Sequence, residues 1–336
     1  MADINSPGVV VITGGSSGIG LSSAQLFAAK GWRVALIARG AEALESAKAL
    51  LVADGARVVT AVADVTDSEA LRRAATEIVA ALGPIDVWIN NAGVSVFSRF
   101  ADMSEDEFQR VTDVTYGGTV NGTRVALEHM RPRDAGTIVN VCSAIGLRGV
   151  PLQSAYSGAK WAMRGFVEAL RAELMHERSR IWLTIVYPPS VNTPFYSHAT
   201  AHLDGRLPRP PPPVYQPEIV ADAIHFAATS RRRNVLVGGQ TVQTGLLNAF
   251  APALADRLLA TFGPFSQKSS NQGVAAASDE NLFTPTRRPS ATHGAFDREA
   301  LSTSAQLWAT KNRATATAGL TFGMAMAGLM LFGARR

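Results

Sequence analysis

The 336-residue chain has a single cysteine, Cys142. No internal disulfide is available, so the chain is not a stapled secreted scaffold, and it fits a reducing compartment. Histidine is sparse too: His129, His176, His198, His202, His225 and His293 are scattered without metal-ligand spacing, and no metal site is expected. Charged residues make up only 18%, with a net charge of +5, and Arg231-Arg232-Arg233 is the one dense basic cluster. A run of three reads as a solvated helix end, and no nucleic-acid partner is expected. No basic stretch precedes the apolar run Val9-Val10-Val11-Ile12, so no signal peptide is read and the body of the chain is expected in the cytoplasm. There is no internal repeat. With 47% hydrophobic residues, wholesale disorder is excluded and a sizeable core is available.

From residue 8 to about 190, short β-branched apolar runs alternate with helix-length amphipathic stretches. Strands are predicted at Val9–Thr13, Arg33–Ala38, Val58–Val62, Val87–Asn90, Thr137–Val141 and Trp182–Val186, with helices such as Gly18–Lys30 and Ala41–Leu51 between them. These runs are continuously apolar, as strands buried on both faces are. The fold class is therefore α/β: a three-layer, doubly wound parallel sheet (a Rossmann fold) with a C-terminal helical extension.

Beyond residue 190 the character changes. Leu207 to Pro217 holds six prolines, which forbid helix and central strand. Glu218–Ser230 reads as a helix, Asn234–Val237 as a seventh strand, and Gln243–Phe262 as an amphipathic helix broken near Pro252. The organisation is then a catalytic domain over 1–245, a helical extension over 246–264, a linker of low order over 265–313, poorest in pattern between 265 and 295, and a hydrophobic tail over 314–336. Ala314 to Ala334 is 21 residues without a charge, closed by Arg335-Arg336. As a helix it would span roughly 30 Å, enough for a bilayer core. Gly319 and Gly323 would permit close helix approach there. It reads as a membrane anchor, with a buried or interfacial helix as the alternative.

Thr13-Gly14-Gly15-Ser16-Ser17-Gly18-Ile19-Gly20 follows the first strand and opens the first helix. Glycines at 14, 18 and 20 let the backbone turn sharply and approach a diphosphate, which the helix N-terminus attracts. The second strand ends at Ala38-Arg39. An acidic residue there would bind the ribose 2′-OH of NAD, whereas Arg39 offers a cation to the 2′-phosphate of NADP. NADP(H) is therefore the expected cofactor, with NAD(H) the alternative if Arg39 is only a solvated side chain. Asp64 and Val65 are placed to contact the adenine, and Asn91, Ala92 and Gly93 bring an amide and small residues beside the cofactor.

Ser143 lies just past the fifth strand, and Tyr156 and Lys160 share one face of the next helix. An ammonium beside the phenol, with a positively charged nicotinamide, is expected to bring the phenol's pKa toward the working range. Tyr156 would act as general acid/base, Lys160 would hold the nicotinamide ribose, and Ser143 would donate a hydrogen bond to the substrate oxygen. Cys142 reads as a buried packing residue.

TGGSSGIG at 13–20, Asp64, NNAG at 90–93, Ser143 and YSGAK at 156–160 occur in the order found in the short-chain dehydrogenase/reductase family, and over about residues 8–245 the chain resembles it. The resemblance implies carbonyl/alcohol interconversion, the roles just given, and a homodimer or homotetramer. It also assigns Val191 and Thr193 to the nicotinamide carboxamide. Two departures stand out. Thr115 occupies the place where the family often has an asparagine whose backbone carbonyl holds a water in the proton relay. Pro189 replaces a common glycine and stiffens the backbone near the nicotinamide. Phe195, Tyr196, Leu203 and Leu207, with Val96, Phe97, Leu147, Val150 and Leu152, suggest a lipophilic substrate. The alternative in another class is a catalytically silent nucleotide-binding scaffold, against which the intact Ser143, Tyr156 and Lys160 argue. A dehydratase or epimerase would call for a longer substrate domain.

Overall fold

The computed structural model describes residues 7–269, 280–286 and 288–317. Seven parallel strands form its centre: β1 (Val9–Thr13), β2 (Arg33–Ala38), β3 (Val58–Val62), β4 (Val87–Asn90), β5 (Thr137–Val141), β6 (Trp182–Tyr187) and β7 (Asn234–Leu236). Their order is β3-β2-β1-β4-β5-β6-β7, and every pairing is parallel. The chain runs outward from β1 to one edge, returns to β4, and runs to the other edge. That reversal leaves a crevice above the carboxyl ends of β1 and β4, where such sheets bind ligands.

The side-chain period of two divides each apolar run between two layers. Val9, Val11, Ala35 and Ile37 pack into one core with α3 (Ser68–Leu82), α5 (Gly118–Met130) and α6 (Ser154–His176). Val10, Ile12, Val34 and Leu36 face the other way, onto α1 (Gly18–Ala29), α2 (Ala41–Ala53) and α8 (Pro217–Thr229). Between α4 (Glu105–Thr112) and α5 the chain makes one π turn at Asp113–Gly117, with the Gly118 N–H reaching back to the Asp113 carbonyl. Such turns shift the helix face by one residue and recur beside functional sites.

A four-residue helix, α7 (Phe195–His198), is followed after the proline-rich stretch by α8, and α9 (Gly239–Phe250) and α10 (Pro252–Ser266) form the helical extension, separated at Pro252 as the sequence predicts. Leu254, Leu258, Phe262 and Phe265 remain substantially exposed on α10.

The linker reading over 265–313 needs correction where residues are described; its stretch 270–279 and residue 287 lie outside the described residues. Residues 280–286 and 288–301 pack onto the catalytic domain, and Leu282 is only 2% exposed. Ala300–Leu301 joins Val214–Tyr215 and Ser190–Val191 in a small parallel sheet, and α11 (Ala305–Lys311) follows. Long-range backbone pairing supplies the order that local periodicity lacks. Among the described residues no helix is long and apolar enough to cross a membrane. Most of the 314–334 segment, from residue 318 onward, lies outside the described residues.

Candidate active site

The loop after β1 prepares the start of α1 for an anion. Ser17, the N-cap, makes no side-chain cap bond, and the first turn carries no acidic residue, so no side chain offsets the positive end of the helix. Gly18 has φ +53°, a left-handed conformation that a side chain would strain. At Gly20 a Cβ would collide with the Gly14 carbonyl, so only glycine lets the turn close this tightly. Asn91 braces it from β4: its Nδ2 donates to the carbonyls of Thr13 and Gly14, each at 3.1 Å. One amide of this N-terminus is already engaged, because Gly18 N donates to the Ala291 carbonyl at 2.9 Å.

At the end of β2, Arg39 meets a set of carbonyls. Its Nη1 donates to Leu282 O at 3.3 Å and Phe283 O at 3.2 Å, and its Nη2 donates to Asn281 O. Asp64 lies 4.0 Å from Arg39 but is bound more closely by Arg110, 2.5 Å away, and by Thr66 N and Oγ1, both 2.9 Å away. Burial works to raise the Asp64 carboxyl, but these bonds outweigh it and hold the group below its usual range. Burial and the neighbouring Arg110 lower the pKa of Arg39.

The chemical end is built where β5 leads into α6. Ser143 caps a short 3-10 turn, its Oγ accepting from Ile145 N at 3.2 Å. Lys160, only 2% exposed, points its Nζ at the Val141 carbonyl, 2.8 Å away, and lies 5.4 Å from the centre of the Tyr156 ring. A Cβ on Gly93 would sit 3.6 Å from Thr115 Oγ1 and 3.9 Å from Lys160 Nζ, so Thr115 and Lys160 converge on that glycine. Thr115 is fully buried in the π turn, where its carbonyl accepts from Thr119 Oγ1 at 3.1 Å and its own hydroxyl donates to Val94 O at 3.1 Å.

Burial acts strongly on both the phenol and the ammonium. Burial pushes Tyr156 well above the ordinary phenol range, and burial also brings Lys160 down to about 8. Desolvation disfavours both charged forms. Burial raises the Cys142 thiol to about 11, in keeping with a packing residue rather than a nucleophile.

The lysine shift has a measurable consequence. A lysine whose pKa is lower in the folded state costs stability while it is charged, and that cost is relieved as pH rises through the folded value toward the unfolded one near 10.5. Ligand-free protein should therefore gain about 1 kcal/mol from Lys160 between about pH 7.5 and about pH 9. Denaturant unfolding of the wild type and Lys160→Met across that range checks this, and equal pH dependence in the two would refute it.

One cavity of about 490 Å³ joins these regions. Its walls include Gly14, Ser16, Ser17, Gly18, Ile19, Arg39, Asp64, Val65, Asn91, Ala92, Gly93, Ser143, Tyr156, Lys160, Pro189, Val191 and Thr193. Gly20 and Thr115 stand behind the wall rather than in it. The expected apolar lining divides in the same way. Val150, Phe195 and Tyr196 face the cavity, joined by Leu247, Leu258 and Leu259 from the extension. Phe97, Leu152 and Leu203 instead form a small core behind Phe195 and Tyr196, while Leu207 is 41% exposed. Phe195 lies 5.8 Å from the Tyr156 ring, centre to centre. Sequence reasoning missed Gln153 and Gln267, both buried, which meet at 2.6 Å and tie the start of α6 to the end of α10. It also missed Asn281, Pro285 and Thr286, which wall the Arg39 end of the cavity. Neither group carries a local motif; the apolar pattern of Gln243–Phe262 was the only signal that the extension packs on the site.

Residues 8–204 match the family model for short chain dehydrogenase. The chain is 38% identical over 252 residues to the uncharacterized oxidoreductase YxnA of Bacillus subtilis, covering 75% of this chain and 71% of that protein. A metagenomic short-chain oxidoreductase solved with NADP is 28% identical, with a TM-score of 0.58 over 68% of this chain and 96% of the other. The fold is also that of a short chain dehydrogenase/reductase from Burkholderia phymatum solved with NAD, with 24% identity and a TM-score of 0.67 over 76% of this chain and 97% of that one. The parallel sheet, the glycine turn beneath its crevice and these matches lead to one assignment: the chain belongs to the short-chain dehydrogenase/reductase family of oxidoreductases.

Proposed function

We propose that the protein is an NADP(H)-dependent enzyme interconverting a carbonyl and a secondary alcohol on a lipophilic substrate. The observation that carries this reading is the continuous cavity running from the glycine turn and Arg39 to Ser143, Tyr156 and Lys160. The site suits a dinucleotide: glycines let the turn close tightly, a helix N-terminus with no side-chain cap and no acidic first-turn residue follows it, and a cation stands where the second strand ends. A bound nicotinamide supplies or accepts the hydride at the substrate carbon.

The chain's own residues manage the oxygen and its proton. The Ser143 hydroxyl donates to the carbonyl oxygen as negative charge develops there. The Tyr156 hydroxyl transfers its proton to the same oxygen, and burial keeps that phenol protonated at neutral pH, the form that reduction requires. Lys160, with a pKa near 8, is mostly ammonium at neutral pH and lies close enough to stabilise the phenolate left behind. The second lone pair of the Thr115 carbonyl can hold a water that returns the proton, and the cyclic Pro189 fixes the backbone beside the nicotinamide. Phe195, Tyr196, Leu247, Leu258 and Leu259 favour an apolar substrate body.

A panel of hydrophobic ketones and alcohols assayed with NADPH and NADP tests the reading. Turnover of at least one apolar carbonyl, faster with NADPH than with NADH, is expected, whereas nucleotide binding without turnover of any panel member would favour the silent scaffold. Membrane attachment through residues 314–334 and assembly as a homodimer or homotetramer belong to the same proposal. Full-length protein should pellet with membranes after detergent-free lysis, and light scattering should give at least twice the chain mass.

A further inference from the structure

Residues 280–286 and 288–301 form a strap across the adenosine half of the cavity. It leaves the substrate side with the Asn281 N–H on the His198 carbonyl, 3.0 Å away. The next three carbonyls converge on Arg39, and Arg110 Nε also donates to Leu282 O at 3.0 Å. Leu282 itself is buried in the core beside Val65 and Val111. Pro285 and Thr286 pass over Gly40, where a Cβ would lie 3.3 Å from Pro285 Cβ. Ser290 then meets Ser46 of α2, the two Oγ atoms 2.8 Å apart, and Ala291 accepts from Gly18 N at the diphosphate turn. Asn192 fastens the far end: its Oδ1 accepts from Phe296 N at 2.9 Å and its Nδ2 donates to Asp297 at 2.8 Å.

We propose that this strap is the outer wall of the dinucleotide site and must lift for nucleotide to enter or leave. The inference rests on the cofactor reading above. Asn281, Pro285 and Thr286 line the same cavity as Ala38, Arg39, Gly40 and Ala43, so the strap forms part of the wall at the adenosine end. The strap hangs from the residues expected to bind the cofactor, so strap closure and nucleotide recognition draw on the same residues, Arg39 and Gly18. A nucleotide that fits beneath it is retained, and its exchange is set by strap opening rather than by diffusion. The strap thereby contributes contacts and retention that the Rossmann core alone does not.

The Ser46–Ser290 contact provides the test. In Ser46→Cys/Ser290→Cys, diamide oxidation should join the two thiols and pin the strap, while Cys142, buried at 3% exposure, stays unreacted. Stopped-flow NADPH fluorescence would follow association at rising nucleotide concentration. For the wild type the observed rate should level off. Oxidation of the cysteine pair should slow association at least about tenfold, with recovery on reduction, and Leu282→Ser should raise the plateau several-fold. Rates that climb linearly with concentration and ignore both the verified crosslink and Leu282→Ser would overturn the strap proposal. Calorimetry on the reduced protein separates the two readings: no nucleotide binding there would overturn the cofactor assignment itself, and the strap's role with it.

Discussion

Tyr156→Phe should lose at least about a hundredfold in turnover while binding NADPH with nearly unchanged affinity. The substitution removes one oxygen and keeps the ring. The phenyl retains its place 5.8 Å from Phe195, and Lys160 Nζ remains over it at 5.4 Å, so packing and fold are preserved. On the proposed mechanism, what disappears is the proton that neutralises the substrate oxygen as hydride arrives. Ser143 alone can then stabilise that oxygen, and a hydrogen bond does not substitute for proton transfer. Steady-state rates with an apolar ketone, together with NADPH titration by fluorescence, check both halves of the expectation. Near-normal turnover would remove Tyr156 from the mechanism. Loss of nucleotide binding along with turnover would instead mean that the phenol is structural.

Much of this arrangement is legible in the residues because the fold places it locally. Continuous apolar runs such as Val9–Thr13 and Arg33–Ala38 become strands with the same bounds, since a run buried on both faces has no other use for so many β-branched side chains. The glycine turn and the Tyr156/Lys160 pair are legible for the same reason: each depends on spacing within one element. The desolvation of that pair was not. Spacing shows that an ammonium is near, but only the packed structure shows that both groups are buried.

The strap was illegible for a different reason. Its attachments join Arg39 to residues 242 to 244 positions away, and the acceptors are backbone carbonyls, which every residue possesses. Serine, threonine and proline around Leu282 resemble a linker when read locally. A single buried leucine among them has no periodicity to reveal it. The π turn at Asp113–Gly117 is hidden similarly, because one extra residue per turn alters which side chains face the site without altering composition.

Arg39 is where cofactor choice and strap meet, and Arg39→Ala should lower kcat/KM for NADPH about ten- to a hundredfold while leaving NADH within a few-fold of its original value. A guanidinium carries five donors; the Nη1 pair and one Nη2 hydrogen serve the strap carbonyls, which leaves two for an incoming 2′-phosphate. Asp64 would repel that phosphate if it stood alone, but its carboxylate is matched by Arg110 at 2.5 Å, so the charge of Arg39 is not consumed there. A charge-assisted bond of this kind contributes roughly 1.5–3 kcal/mol, which sets the size of the loss. NADH has no phosphate at that position and should not register the change through recognition. It should register the looser strap as faster release, so NADH and NADPH dissociation should both quicken even though only NADPH loses affinity steeply. Arg39→Lys retains the charge without the fork and should fall between the two. Parallel kcat/KM measurements with both nucleotides decide the matter, and a wild-type enzyme that favours NADH would end the case for a 2′-phosphate site at Arg39.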